Sequence, residues 1–406
     1  MRAVVGLAVI PILLIGSSAT GSVQRDRAAY LVHGLPDNTQ VTHLQPQGDR
    51  ILVGTVGQGL WALPNGRREL EKIEGLPDKA YVDRIAAVHG RALIGTRDEY
   101  FQNPYVSAGE GIWSLANGKN QLERIKGLPG DTQATSFVEV GGRTFIGTYS
   151  DGVWAVPDGQ LAAIRIAGLP DYAAINQMTE YNGHTLIDTW HQGIWILEIG
   201  GTSATKIVDH QDDGIFPTLC FAHLDHRTLI GTSCSGMWTI EDGSMKAVKV
   251  DGIPHDDVVR CIATSGDRAV IGSQTGIYVL RAGARLAVKI IGPPKGNGVD
   301  CIAKAGANLF VGTALNGLWV LSDTKNVAKR VRGVPSDAYV AQFAYAGEAV
   351  IVWRGDLGGP VWVLDQKSAK AAPVAGVPDR ARVWDTAFWG GRVLIGTTEG
   401  LWAFDL

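Results

Sequence analysis

Three pairs of residues in this chain match an imidazole with a carboxylate: Asp188 with His191, His210 with Asp212, and His43 with Asp385. Such a pair suffices for proton transfer once its members come within hydrogen-bond reach, so it would serve a hydrolase or lyase, with or without a divalent metal. Arg84, Gln177 and Gln342 add donors that could hold a polar ligand, and Arg354 places a cation beside Trp353. Trp190, Trp353 and Trp384 fall outside the regular series of tryptophans in the chain. Aromatic walls with a few convergent polar groups are what a small-molecule site requires. The sequence carries no Gly-x-Ser-x-Gly elbow, no His-Glu-x-x-His, no phosphate loop and no dinucleotide fingerprint.

These residues are scattered over 406 positions, and a repeat is what must bring them together. A small residue, an apolar residue and proline open it, as in Gly34-Leu35-Pro36. About twenty residues later come apolar-Gly-Thr (Val53-Gly54-Thr55) and then Gly-apolar-Trp ending at Trp61. The opening recurs at Gly75, Gly127, Gly168, Gly252, Gly292, Gly333 and Gly376, with a degenerate copy at His210 to Asp213, and most intervals are 40 or 41 residues. Self-similarity at this period marks a stacked repeat architecture.

Within a copy, four short apolar segments lie between turn residues: Val41 to Gln45, Arg50 to Thr55, Gly59 to Leu63 and Glu69 to Ile73. Segments this short, rich in Val, Ile, Leu and Trp, read as strands. Four antiparallel strands per copy make a propeller blade. The predicted fold is therefore all-β, a single β-propeller of nine four-stranded blades over residues 23–406, with the first repeat starting near Gly34. The last copy stops after its third strand, so Ala28 to His33 is expected to supply the missing strand and close the last blade.

The repeat resembles the two-component regulator propeller family, whose first strand carries Val-x-x-Ile ahead of apolar-Gly-Thr. Val41-x-x-Leu44, Val82-x-x-Ile85, Val259-x-x-Ile262 and Val299-x-x-Ile302 match that element. The chain departs from it in having Gly-Leu-Trp at the third strand. The resemblance implies a propeller and is weak for activity, because similar propellers bind ligands or hydrolyse esters.

Composition narrows the partners. A net charge of −3 with no run of Lys or Arg gives no footprint for nucleic acid. Arg2, the apolar run Ala3 to Gly16 and small residues to Ser22 read as a secretory signal over residues 1–22, leaving no membrane span in the mature chain and a periplasmic or secreted location.

In a repeat the shared residues are scaffold, so the departures are informative. The position eleven residues before the Gly of Gly-Thr reads His43, Arg84, Ser136, Gln177 in the first four copies, then Cys220, Cys261, Cys301, and finally Gln342 and Asp385. It is expected to ring a central channel, which could also be simply a wet channel lined by satisfied polar groups. A second set of departures falls in loops of one face: Arg97 to Tyr105, Asp188 to His191, His210 to Asp213, and Trp353 to Asp356. Ligand-binding candidates are accordingly His43, Arg84, Gln177, Asp188, Trp190 and His191, joined by Gln342, Trp353, Arg354, Trp384 and Asp385.

The three aligned cysteines read as small buried thiols, and Cys234 as the one plausible disulfide member, with Cys220 or Cys261. No cofactor and no metal are expected. Binding of a small molecule, glycan fragment or peptide, in a sensor or scaffold that could also meet a protein partner, is favoured over a hydrolase or lyase.

Overall fold

The structure, a computed structural model, describes residues 28–97, 109–190, 192–207, 218–292, 298–322, 327–346, 349–354, 358–366 and 369–406. Nine four-stranded antiparallel sheets make the blades of an all-β propeller, each built from strands consecutive in the chain except the last. Blade one runs Val41–Gln47, Arg50–Thr55, Leu60–Pro64 and Glu71–Ile73. In blade nine the fourth strand is Tyr30–Leu31, paired antiparallel with Gly400–Asp405 through Tyr30↔Ala403 and Leu31↔Trp402. The expected closure is thus present.

The blades fall into two compact units. One holds blades nine and one to four, within residues 28–206 and 376–406; the other holds blades five to eight, within residues 207–375. The repeated phrases explain how blades stack inside each unit. The Gly of Gly-Thr lies where the next blade arrives: a Cβ on Gly272 would meet Val299 Cγ1 at 2.4 Å and Cys261 Sγ at 2.5 Å, and one on Gly54 would meet Val82 Cγ1 at 2.7 Å. The following Thr ties off the strand pair, as when Thr55 Oγ1 donates to Gly59 O at 2.6 Å and Thr232 Oγ1 to Gly236 O at 2.8 Å. Inside each unit every step from one blade to the next uses this glycine. Asp188 and Trp353 replace it in blades four and eight, the last blade of each run.

The apolar strand residues bury themselves between neighbouring blades: Leu52, Leu60, Val82, Ile94 and Leu115 form one such core and are almost wholly inaccessible. At the outer side, the tail of one blade's fourth strand forms a parallel bridge to the next blade's, for example Glu74↔Gln121 and Ile291↔Val327. Most repeated tryptophans are only half-buried. Two of these lie under a cation placed opposite on the fourth strand, with Arg124 over Trp113 at 5.7 Å and Arg330 over Trp319 at 5.4 Å. Cation–π pairing therefore supplements burial at this position.

Candidate functional site

A bulge in the first strand builds the site. In blade one Val41 pairs with Thr55 and His43 with Gly54, so Thr42 is the extra residue, and the same shift recurs in every blade except eight. A bulge leaves one residue out of the ladder and re-aims its neighbours. Two adjacent side chains, rather than one, are thereby freed from regular alternation. Several reach the backbone of the next blade: Thr42 Oγ1 donates to Val82 O at 2.7 Å, and Arg84 Nε donates to Thr135 O at 3.1 Å.

In blades one to three this arrangement gathers charge. Arg97 Nε lies 3.6 Å from Asp83 Oδ1, and the guanidinium stands 4.0 Å from the centroid of Tyr81. Gln133 Nε2 donates to Asp83 Oδ2 at 3.2 Å, and Arg84 Nη1 donates to the Asp83 carbonyl at 2.9 Å. Burial would push the Asp83 carboxyl up, but the Arg84 and Arg97 guanidiniums, with His43 and the Gln133 bond, outweigh it and hold the group below the usual range. His43 goes the other way: burial, reinforced by Arg84, pushes its imidazole down to about 4, so it is neutral at pH 7. Its Nδ1 is buried without a hydrogen-bond partner among the described residues.

Asp385, in the first strand of blade nine, accepts Leu44 N–H at 2.8 Å and Thr386 N–H at 2.7 Å. Burial still pushes its carboxyl up to about 7, against those two bonds. Both of these donors are backbone amides, and neither comes from His43.

Farther along the same row, Gln177 is half-buried opposite Asp188, and Asn176 Nδ2 donates to Asp188 Oδ2 at 2.6 Å. Asp188 is fully buried, while Trp190 and Trp384 are each 37% exposed. His191, residues 98–105 of the blade-two insertion, His210 to Asp213 and Gly355-Asp356 lie outside the described residues, as does the expected signal over residues 1–22.

Gln342, Trp353 and Arg354 belong to the unit of blades five to eight. Trp353 pairs with Gln342 across the strands and is 3% exposed. The expectation of Trp353 in an open aromatic wall is corrected accordingly: standing in the glycine position of the repeat, it fills core. Arg354 is exposed.

The equivalent row in blades five to seven is chemically quiet. Cys220 Sγ and Cys301 Sγ donate to the next blade's Val259 O and Val340 O at 3.7 and 3.5 Å. Burial pushes the Cys220 thiol up to about 12 and those of Cys261 and Cys301 well above the ordinary range. All four cysteines are free and Cys234 is exposed, so Cys234, the one plausible disulfide member, is not crosslinked. Among the described residues no three His, Cys, Asp or Glu side chains are grouped so as to hold a metal. One charged pair does occur here, Arg260 Nε to Asp300 Oδ1 at 3.5 Å, with burial pushing Asp300 up to about 6. Asp83, Gln133, Arg260 and Asp300 escaped sequence reasoning. The signal that could have found the two aspartates and Arg260 is the bulge residue, immediately before the position singled out.

No protein-family model matches the chain and no curated sequence aligns with it. Among solved structures it is similar to the computationally designed protein Ika8, with a TM-score of 0.59 at 11% identity over 93% of this chain and 99% of that one. It also aligns with U3-55K, at a TM-score of 0.45 and 13% identity over 70% of this chain and 97% of that one. A third match is the extracellular domain of a one-component system of B. thetaiotaomicron, at a TM-score of 0.38 and 12% identity over 92% of this chain and 60% of that one. At these identities the likeness to Ika8 bears on the fold alone, and the fold it bears on is the propeller.

Proposed function

We propose that this chain is an exported propeller of sensor or scaffold type, similar in kind to the two-component regulator propellers. It holds a small polar molecule, glycan fragment or peptide at the cluster of His43, Asp83, Arg84, Arg97 and Asp385. One observation carries the reading: ionisable groups are concentrated in the first strands of blades nine, one and two, and the buried Nδ1 of a neutral His43 is left without a hydrogen-bond partner among the described residues. Buried polar groups are normally satisfied, and an exception beside perturbed carboxyls is where a ligand's polar atoms would complete the set. Arg84 and Arg97 outnumber Asp83 in charge, which favours a ligand bearing a carboxylate or another anionic group.

Calorimetric titration with a panel of sugar acids, dicarboxylates and short peptides tests this. One class should bind the wild type, and Arg84→Ala should weaken that binding by about tenfold or more at a temperature where the variant is folded, as expected for a charge-assisted contact. Absence of binding by every class, or affinity unchanged in both Arg84→Ala and Arg97→Ala, would overturn the reading. A hydrolase or lyase is the second reading, carried by Asp385, whose carboxyl titrates near neutrality.

A further inference from the structure

The outer edges of blades five to seven differ from those of blades one and two. Around the fourth strands of blades one and two, cations alternate with Glu69, Glu71, Glu74 and Glu123. In blades five to seven the corresponding segments carry Lys246, Lys249, Arg285, Lys289, Lys329 and Arg330, and the carboxylate among the described residues of these segments is Asp251. Lys246, Arg285 and Lys329 are exposed and form no ion pair among the described residues.

Aliphatic side chains stand exposed between these charges. Leu286 is 57% exposed, Val288 56%, Ile291 73% and Val327 46%. They form one band. Leu286 and Val288 share the outward face of a strand whose alternate residue Ala287 is buried, and Ile291 pairs directly with Val327 of the next blade through a parallel bridge. Clustered exposed aliphatics on an otherwise polar surface mark an interaction site.

We infer that this band docks an acidic, extended protein segment in which carboxylates alternate with aliphatic residues. Charge complementarity selects the sign of the partner, and the interleaving of cation and aliphatic selects its pattern. The form of the charges favours a polypeptide over an anionic bilayer. Lys289 Nζ donates to Thr275 O at 2.6 Å while stacked 5.5 Å from Tyr278, and Arg330 donates to Asn316 O and Ser336 O at 3.4 and 3.3 Å while stacked on Trp319. Cations fixed one to a blade suit carboxylates held at regular spacing along a strand. Peripheral membrane insertion draws on large aromatic and leucine side chains, whereas this band is largely valine and isoleucine. The inference is independent of any ligand at His43 and Arg84.

The test is fluorescence anisotropy of a labelled peptide of alternating Glu and Val titrated with the full chain, beside sedimentation with vesicles of phosphatidylcholine and phosphatidylglycerol. Saturable peptide binding is expected, weakened about tenfold by the double variant Arg285→Glu/Lys329→Glu, weakened also by Leu286→Ser/Ile291→Ser, and reduced by added salt. Lys206→Glu, on a fourth strand of the other unit, should leave it unchanged. All these residues are exposed, and unchanged melting temperatures would show that the variants fold. No saturable binding of the Glu–Val peptide, binding indifferent to both double variants, or binding of the vesicles in place of the peptide would overturn the inference.

Discussion

The first strands of blades nine to two and those of blades five to seven share one backbone and opposite chemistries. Both rows are bulged at the same step, and in both the next blade closes on the glycine of Gly-Thr. One row holds Asp385, His43 and Arg84, and the other Cys220, Cys261 and Cys301. In the second row each thiol sits on its glycine, with Sγ 2.5 Å from where that glycine's Cβ would be, and Cys220 and Cys301 donate to the next blade's carbonyl. The polar character of the position therefore has a structural origin, a donor that links blades. What distinguishes a site from scaffold is charge beyond what that link needs.

If the scaffold is common to both rows, breaking it should cost the same in each. Gly272→Val and Gly54→Val both force a side chain into the next blade's valine, and each is expected to lose about 3 kcal/mol, at the upper end for overpacking, in urea unfolding. Unequal losses would show that the two units step differently.

The comparison sharpens with pH. Asp385 has a carboxyl raised to about 7 from an unfolded value of 3.8, so its contribution is complete below 3.8 and is lost as pH rises towards 7. His43, depressed to about 4 from 6.5, contributes above 6.5 and loses that as pH falls towards 4. Relative to wild type, Asp385→Asn should therefore gain melting temperature as pH rises from about 4 to 7, on the order of a few degrees. His43→Gln should lose less than wild type on acidification through the same interval. Cys261→Ala should track wild type throughout. A flat difference for Asp385→Asn would remove the charged row's claim to be a tuned site.

The smallest effect is expected from the thiols. Iodoacetamide at pH 8 should modify Cys234 in the folded protein and leave Cys220, Cys261 and Cys301 untouched until unfolding, because raised thiol pKa values leave almost no thiolate. Reductant should change the melting temperature by less than about 1 °C, since no crosslink is there to break. Rapid modification of Cys261 would make the second row a reactive site as well.

Blade number was legible in the sequence because it rests on a local signal repeated along the chain, the closing strand because the last copy stops one strand short, and the strand limits of blade one to within two residues. The predicted Arg50 to Thr55 strand is the observed one. The candidate site was legible only in outline. His43, Arg84 and Asp385 were found as departures from a repeat, but Asp83 and Asp300 were not, because an inserted residue in the first strand shifts the alternation and hides which neighbours share a side. Trp353 misled for a related reason: a large residue in a glycine position looks like a functional departure, and its burial is decided by packing that no single blade's sequence reports. Arg97 was seen as part of an insertion, without the Asp83 and Tyr81 that fix it.

The pairing of Tyr30–Leu31 with Trp402 and Ala403 has a consequence for the order of biosynthesis. Those two strands are translated at opposite ends of the described chain, so blade nine stays one strand short until its final residues have emerged. Closing so long a loop adds only about 0.6 kcal/mol of entropy per doubling of its length, yet it is the least local contact in the molecule and so the slowest to be found. Until then both the waiting strand and its partner expose unsatisfied backbone amides and carbonyls. The newborn chain is thus most exposed to wrong pairing with a second copy in the interval before Gly400–Asp405 emerges and pairs, when every other blade already has its four strands.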